Sequence, residues 1–311
     1  MQHVTGLMSV SGLSALVAYL RESNYHFVTP TPATHDRNNK RPGNGRAAGL
    51  TDVFGWSRPF LPSVLPPFLF EILKEGGILC PDEAGWKSRV RASTLQGELF
   101  LHSAFPTLAA DAVFFGPDTY RFARTIKQKL STRPQLSRVL DIGCGSGAGA
   151  VVVARNAACA EVFMTDINAT ALQLAALNAE MAGVQATISH GDLFAGLKGE
   201  FDLIVANPPY LNDPLQRAYR HGGGELGSAL SIRIAEAAKQ RLAPGGSLIL
   251  YTGSPIVGGA DHFLEAIQRS YDGGGLTWSY EEIDPDVFGE ELETETYGAV
   301  DRIAAVIAGE E

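Results

Sequence analysis

The apolar and polar positions of this 311-residue chain fall into two regimes. From about Arg138 onward, short apolar runs of strand length alternate with longer segments of helical period. SRVLDIG, EVFMTD, TISHGD, FDLIVANPP and GSLILYTG read as strands, being brief, β-branched or aromatic, and bounded by Gly, Asp or Pro. Between them lie the helical segments AGAVVVARNAA, NATALQLAALNAEMAG, SALSIRIAEAAKQRL (followed by the turn APGG) and DHFLEAIQR. Asn168 is the predicted N-cap of the second, because its short amide side chain can accept from the free amides of a first turn. Two strand-like runs, LTWSYEEI and GAVDRIAAVIA, close the chain without a helix between them, as a hairpin-like pair. Such alternation predicts a doubly wound α/β domain with a mostly parallel sheet. The chain shows no internal repeat.

The first third is different. Helices are expected at about Leu13–Glu22 and near Pro67–Lys74, followed by GGILC, the turn-like PDEAGW and the strand-like KSRVRASTLQGELFLHS. Helix, short strand and hairpin is a winged-helix-like order, and a cap over a cofactor cleft would look similar. Residues 30–49, PTPATHDRNNKRPGNGRAAG, lack periodicity and read as a loop, a candidate for disorder. The opening MQHVTGLMSVSGLSALVAYL has no basic leading region and no clear cleavage site, so it is read as a first helix, not a signal peptide. The boundary is set at 105: residues 1–105 as a substrate-recognition or cap domain, and 106–311 as the α/β domain.

Composition narrows the classes. Apolar residues are 45% and charged residues 19%, an ordinary globular balance, and no apolar run reaches the ~18 residues of a membrane span. Cys80, Cys144 and Cys159 are odd in number and lack metal-like spacing, which suggests reduced thiols and a cytoplasmic setting. The net charge of −9 argues against a globally basic nucleic-acid binder. Yet residues 1–105 hold ten Lys/Arg against eight Asp/Glu, and the rest fifteen against twenty-six. Two domains with different surfaces account for this count without a binding face.

Four strand ends carry candidate chemistry. LDIGCGSGAGA sets Gly143, Gly145, Gly147 and Gly149 between a strand and a helix, where glycine permits a tight turn and close approach of a ligand. Asp166, at the next strand end, is placed to accept both hydroxyls of a ribose. With Ala148 the loop also satisfies G-x-G-x-x-A, so a nicotinamide or flavin enzyme stays open at this point. In HGDLF, Asp192 could accept from an adenine amino group beside Leu193 and Phe194, or could cap a turn. The fourth strand ends in Asn207-Pro208-Pro209-Tyr210. The prolines fix their own φ and hold Asn207 extended, leaving a rigid turn with two acceptors, the Asn207 side-chain oxygen and the Pro208 carbonyl. Two acceptors beside an exposed-looking phenol suit a planar NH₂ group, with Tyr210 stacking on its plane.

DIGCGSG, TDIN, GDLF and NPPY, in this order, resemble the class I S-adenosylmethionine-dependent methyltransferases of the amino-methylating type, over roughly residues 110–310. The resemblance implies a seven-stranded Rossmann-like sheet and S-adenosylmethionine as cofactor. It implies that Gly143, Gly145 and Gly147 pass the methionine part and that Asp141 holds its amino group through water. Asp166 with Ile167 would bind the ribose, and Asp192 with Leu193 the adenine. FFGPDTYRF resembles the segment that closes over the cofactor in these enzymes, which adds Phe115, Pro117 and Thr119, with core packing the competing explanation for Phe115. Asn207, Pro208, Pro209 and Tyr210 would be the catalytic turn, and no metal is required.

The expected reaction is in-line methyl transfer to the held nitrogen, driven mostly by positioning. RNA is the preferred acceptor, brought in by Arg37, Lys40, Arg41, Arg46, Lys87, Arg89 and Arg91. A protein glutamine is the alternative, because the segment after His221, GGGELG, resembles a substrate-side loop of protein-glutamine methyltransferases. A flexible solvated loop is the plainer reading of that segment. A small-molecule amine is a third acceptor, and a dinucleotide oxidoreductase ranks well below, since it leaves NPPY unexplained.

Overall fold

A computed structural model describes residues 7–271 and 277–310. The first six residues and Leu276, at the start of the LTWSYEEI run, lie outside the described residues. The N-terminal region runs α1 (Val10–Glu22), α2 (Pro32–Asn39), α3 (Leu50–Phe54), α4 (Pro67–Glu75), then the hairpins β1 (Leu79–Asp82)/β2 (Gly85–Ser88) and β3 (Val90–Leu95)/β4 (Glu98–Ser103). After α5 (Pro117–Lys129) come β5 (Gln135–Ile142), α6 (Ala148–Asn156), β6 (Ala158–Asp166), α7 (Ala169–Met181), β7 (Thr187–His190) and β8 (Phe201–Ala206). The chain then forms α8 (Ala229–Ala238), β9 (Leu242–Val257), the short β10 (Ala260–Asp261), α9 (His262–Tyr271), β11 (Trp278–Asp284) and β12 (Arg302–Glu310).

The main sheet has the order β11-β12-β9-β8-β5-β6-β7, with β10 pairing to β9 off this path. β7, β6, β5, β8 and β9 are parallel neighbours, while β12 is antiparallel to both β9 and β11. The expected terminal hairpin is therefore present. Side chains alternate between faces with period two: Val139, Leu203, Val205 and Ile303 join the core beneath α5, α6 and α7, while Leu140, Ile204, Ala206 and Ala304 join that beneath α8 and α9. The strand order reverses between β5 and β8, and in such sheets the crevice at the carboxyl ends of the strands there is the ligand site.

α7 explains how the first third attaches. Its sequence is apolar around most of its circumference, which marks a helix buried on more than one side. Leu172, Ala175 and Ala179 face the sheet, whereas Ala171, Leu174 and Leu177 belong to the core of α1, α4 and the hairpins. Asn178, nearly inaccessible on α7, accepts the Leu101 amide at 2.9 Å and donates to the Leu101 and Ser146 carbonyls, both at 2.9 Å. One amide thus ties the β3/β4 hairpin to the glycine loop.

Two expectations for this region are corrected. Residues 30–49 are not a disordered loop: they contain α2, capped by Thr31 and carrying Pro32 in its first turn. Arg58, buried, donates to Asn38 and Asn39 and pairs with Asp52, and His35 packs between Trp56 and Phe105. The polar composition suggested solvent, but these groups bond one another. The winged-helix-like order is replaced by two separate two-stranded hairpins, because the PDEAGW segment is itself a β1/β2 turn.

Candidate active site

One cavity opens at the carboxyl ends of β5, β6 and β8. The glycine loop between β5 and α6 runs with Gly143, Gly145 and Gly147 at φ of 63°, 54° and 77°, the left-handed region that residues with a Cβ disfavour. A Cβ added at Gly143 or Gly145 would meet no protein atom within 4 Å, so the missing side chains leave a cradle open to the cavity. Gly147 is different: a Cβ there would come 3.2 Å from Ala175 and from the Met164 sulfur, and this glycine serves the contact with α7.

Three carboxylates surround the cradle. Asp141, at the end of β5, is buried and accepts the Ala150 amide at 2.8 Å on Oδ2. Burial pushes its pKa up to about 7, offset in part by that hydrogen bond. Asp166, ending β6, accepts the Gly145 amide on Oδ2 and the Asn168 amide on Oδ1, each at 2.9 Å, so it shapes the loop from beneath. Its pKa is also raised, chiefly by burial. Asp192 is exposed and paired with Arg233 at 2.6 Å, beside Leu193 and the exposed Ile167 at the cavity edge. Asn168 caps α7 as expected, accepting the Thr170 amide at 3.0 Å, and its amide group also donates to the Asp111 carbonyl at 2.9 Å.

At the end of β8, Asn207 is half-buried, and its side chain makes no hydrogen bond to any described residue. The Pro208 carbonyl is likewise without a donor among the described residues. Tyr210 departs from expectation. It is buried, its hydroxyl donates to Asp118 at 2.9 Å, and its ring occupies space that a Cβ at Gly253 would fill, at 2.3 Å. It is a wall of the cavity, not an exposed stacking platform. Flat aromatic surface comes instead from Phe114, Tyr219 and Phe288: Phe114 stacks on Tyr219 at 6.1 Å, and Phe288 meets the Tyr210 ring edge-on at 5.9 Å.

Asp141, Gly143, Gly145, Asp166, Ile167, Asp192, Leu193, Asn207, Pro208, Pro209, Tyr210 and Thr119 all line this cavity. Gly147, Phe115 and Pro117 do not. Phe115 lies in the core, stacked on His102 at 4.8 Å, and Pro117 occupies the first turn of α5. In an extended pair of adjacent residues the side chains diverge, so if one of Phe114 and Phe115 faces the cavity the other faces the core. The segment after His221 is anchored at both ends, with Gly224 and Glu225 exposed between them. Gly222 donates to the Leu211 carbonyl at 2.8 Å, and a Cβ at Gly227 would lie 2.3 Å from the Tyr210 carbonyl. His221 accepts the Asp213 amide at 3.2 Å and stays outside the cavity. Sequence reasoning also missed Asp118 and Phe114, both inside FFGPDTYRF, whose only signal was an acid in the first turn of a helix and a doubled aromatic.

Residues 119–258 match the family described as the methyltransferase small domain. The chain is 34% identical over 200 residues to the release factor glutamine methyltransferase of Deinococcus radiodurans, a match covering 58% of this chain and 70% of that protein. It is 37% identical over 145 residues to the ribosomal protein uL3 glutamine methyltransferase of Bordetella pertussis, covering 42% and 47%. It is also 39% identical over 111 residues to the ribosomal RNA small subunit methyltransferase C of Haemophilus influenzae, covering 36% and 31%. Among solved structures, Trm5b of Pyrococcus abyssi shares the fold, with a TM-score of 0.50 at 15% identity over 75% of this chain and 62% of that one.

The sheet and the cavity at its switch point define a Rossmann-like α/β enzyme that uses S-adenosylmethionine. The chain belongs to the class I S-adenosylmethionine-dependent methyltransferases, in the methyltransferase small domain family. The nicotinamide or flavin alternative is thereby set aside. The residues fit the cofactor: the open cradle at Gly143 and Gly145 admits a ligand against the backbone, and the buried Asp141 and the half-buried Asp166 line the same cavity.

Proposed function

We propose that this enzyme methylates the side-chain amide nitrogen of a glutamine in a protein. The observation that carries this reading is the pair of unpartnered acceptors, the Asn207 amide oxygen and the Pro208 carbonyl, inside an aromatic mouth whose Phe288 sits on a strongly acidic segment. Glu281, Glu282, Asp286, Glu290, Glu293 and Glu295 are exposed on the segment that carries Phe288. A phosphate backbone would be repelled there, whereas a polypeptide would not. The cations expected to hold RNA support it less than their number suggested. Arg91 is buried and donates to the Ser103 carbonyl, Lys40 pairs with Asp36, Lys87 with Asp82, and Arg89 donates to the Gly77 carbonyl. Several relatives bear glutamine methyltransferase names.

Asn207 and the Pro208 carbonyl accept the two protons of the amide nitrogen and turn its lone pair toward the cofactor cradle. The rings of Phe114, Tyr219 and Phe288 enclose the flat group and exclude water. Asp141 would take the amino group of the cofactor, Asp166 and Ile167 its ribose, and Asp192 with Leu193 its adenine. When bound, S-adenosylmethionine supplies a methyl group activated by attachment to a sulfonium. Holding both partners in line is the main source of rate, on the order of 7–11 kcal/mol for well-oriented reactants. Residues 1–105 serve as the substrate-side domain, docked through α7.

The RNA reading keeps two supports, the exposed Arg37, Arg41 and Arg46 on and after α2 and the relative named a ribosomal RNA methyltransferase. Radiolabelled S-adenosylmethionine, offered with unmethylated release factor, uL3 and small-subunit ribosomal RNA in parallel, separates the two. Label is expected in protein, at glutamine. Label in RNA alone would overturn the glutamine assignment.

A further inference from the structure

Asp118 is buried at the start of α5, yet it is not on the cofactor-side strands or on β8. Its Oδ2 accepts the Tyr210 hydroxyl at 2.9 Å, and its Oδ1 accepts the Tyr251 hydroxyl at 2.6 Å and Arg121 at 3.1 Å. Arg121 reaches on to Asp284 of β11 at 2.6 Å. Three separate pieces of chain therefore meet on one carboxylate, the α5 segment, the acceptor turn and β9, and Arg121 extends the network to β11. A buried carboxylate is expensive unless its lone pairs are filled, and here three donors fill them.

We propose that Asp118 is a positioning residue for methyl transfer, which locks the acceptor turn by anchoring the Tyr210 hydroxyl and so fixes where Asn207 and the Pro208 carbonyl stand. The inference rests on the reading of Asn207–Tyr210 as the holder of the acceptor amide. Pro208 and Pro209 make the turn stiff, so fixing the ring of Tyr210 at one end fixes the two acceptors at the other. The ring is held from two further sides, by the glycine at 253 and by the edge of Phe288, and neither supplies the hydrogen bond. Without the carboxylate, the Tyr210 hydroxyl is a buried donor without a partner, and the ring turns away to satisfy it. Since reaction geometry tolerates little displacement, turnover suffers before binding does. The glycine cradle and Asp166 lie on β5, β6 and α6, elements that Asp118 does not bond.

The test compares Asp118→Asn, Tyr210→Phe, Tyr251→Phe, Asn207→Ala and the Asp118→Asn/Tyr210→Phe double variant. Turnover is measured with whichever of release factor, uL3 and small-subunit ribosomal RNA the wild-type enzyme labels fastest, and S-adenosylmethionine affinity by calorimetry. Asp118→Asn and Tyr210→Phe are each expected to lower kcat about ten- to hundredfold, with cofactor Kd within about threefold of wild type. The double variant should be no worse than the poorer single one, because both act on the same bond: in Asp118→Asn the one remaining oxygen serves Tyr251 and Arg121, and the NH₂ that replaces the other oxygen cannot accept from the Tyr210 hydroxyl. Tyr251→Phe keeps the Tyr210 bond and guards against a folding artefact; it should retain more turnover than Tyr210→Phe. Additive losses in the double variant, a parallel loss of cofactor affinity, or wild-type turnover in Asp118→Asn would each overturn the proposal. Full turnover in Asn207→Ala would instead remove the acceptor-turn reading beneath it.

Discussion

Gly149 is bare because Asp141 lies against it: a Cβ at position 149 would stand 2.7 Å from the Asp141 Oδ2. The first turn of α6 thus closes directly over a buried carboxylate, and the helix amide of Ala150 bonds it. Gly149→Ala forces one of them to move. Overpacking of this kind costs about 1–3 kcal/mol, and a denaturant titration should show that loss together with weaker S-adenosylmethionine binding. An unchanged midpoint would mean that Asp141 is free to swing aside.

Asp141 also sets a pH dependence. Its pKa stands at about 7 when folded, above the unfolded value, so the folded state holds the extra proton between roughly pH 4 and 7. Stability from this group is therefore greatest at low pH and falls as pH rises through 7. If the carboxylate receives the cofactor's ammonium, binding requires the ionised form. Affinity should then rise about tenfold from pH 6 to 8 and level off, and Asp141→Asn should flatten the profile. A flat wild-type profile by calorimetry would count against Asp141 as the ammonium partner.

Asp166→Ala removes the acceptor for two loop amides, at Gly145 and Asn168, as well as the candidate ribose contact. Loss of S-adenosylmethionine affinity by about a hundredfold is expected, the sum of both effects. Calorimetry with NADH on the wild-type protein should show no binding.

Asn207→Ala should leave S-adenosylmethionine affinity nearly unchanged and lower kcat at least about a hundredfold, because one of two amide acceptors is gone. Single-turnover rates with saturating cofactor measure this directly. A change confined to cofactor Kd would move Asn207 to the cofactor side of the cavity.

Arg58 is the test of the N-terminal fold. It is buried, paired with Asp52 and bonded to Asn38 and Asn39, so Arg58→Ala strands several polar groups at once. A loss of about 3 kcal/mol is expected, with α2 becoming sensitive to proteolysis. Resistance of residues 30–49 to protease in that variant would show that other contacts hold α2.

Much of this enzyme was already legible in local chemistry. Strands and helices after Arg138, the Asn168 cap, the glycine turn, and the acids at the ends of β5 and β6 are governed by periodicity, φ requirements and capping, which act over a few residues. The stiff acceptors of Asn207–Pro209 follow from proline geometry in the same way. Tertiary structure alone decided which of Phe114 and Phe115 lines the cavity, that Tyr210 is an anchored wall, and that Gly147 serves packing while Gly143 and Gly145 leave open space. It also decided that the polar run 30–49 is ordered and that Arg91 is unavailable to a ligand. Each of these depends on partners far away in sequence, such as Asp118 with Tyr210, Tyr251 and Asp284 through Arg121. A polar side chain looks the same in sequence whether water or a distant residue satisfies it, and only the folded chain says which.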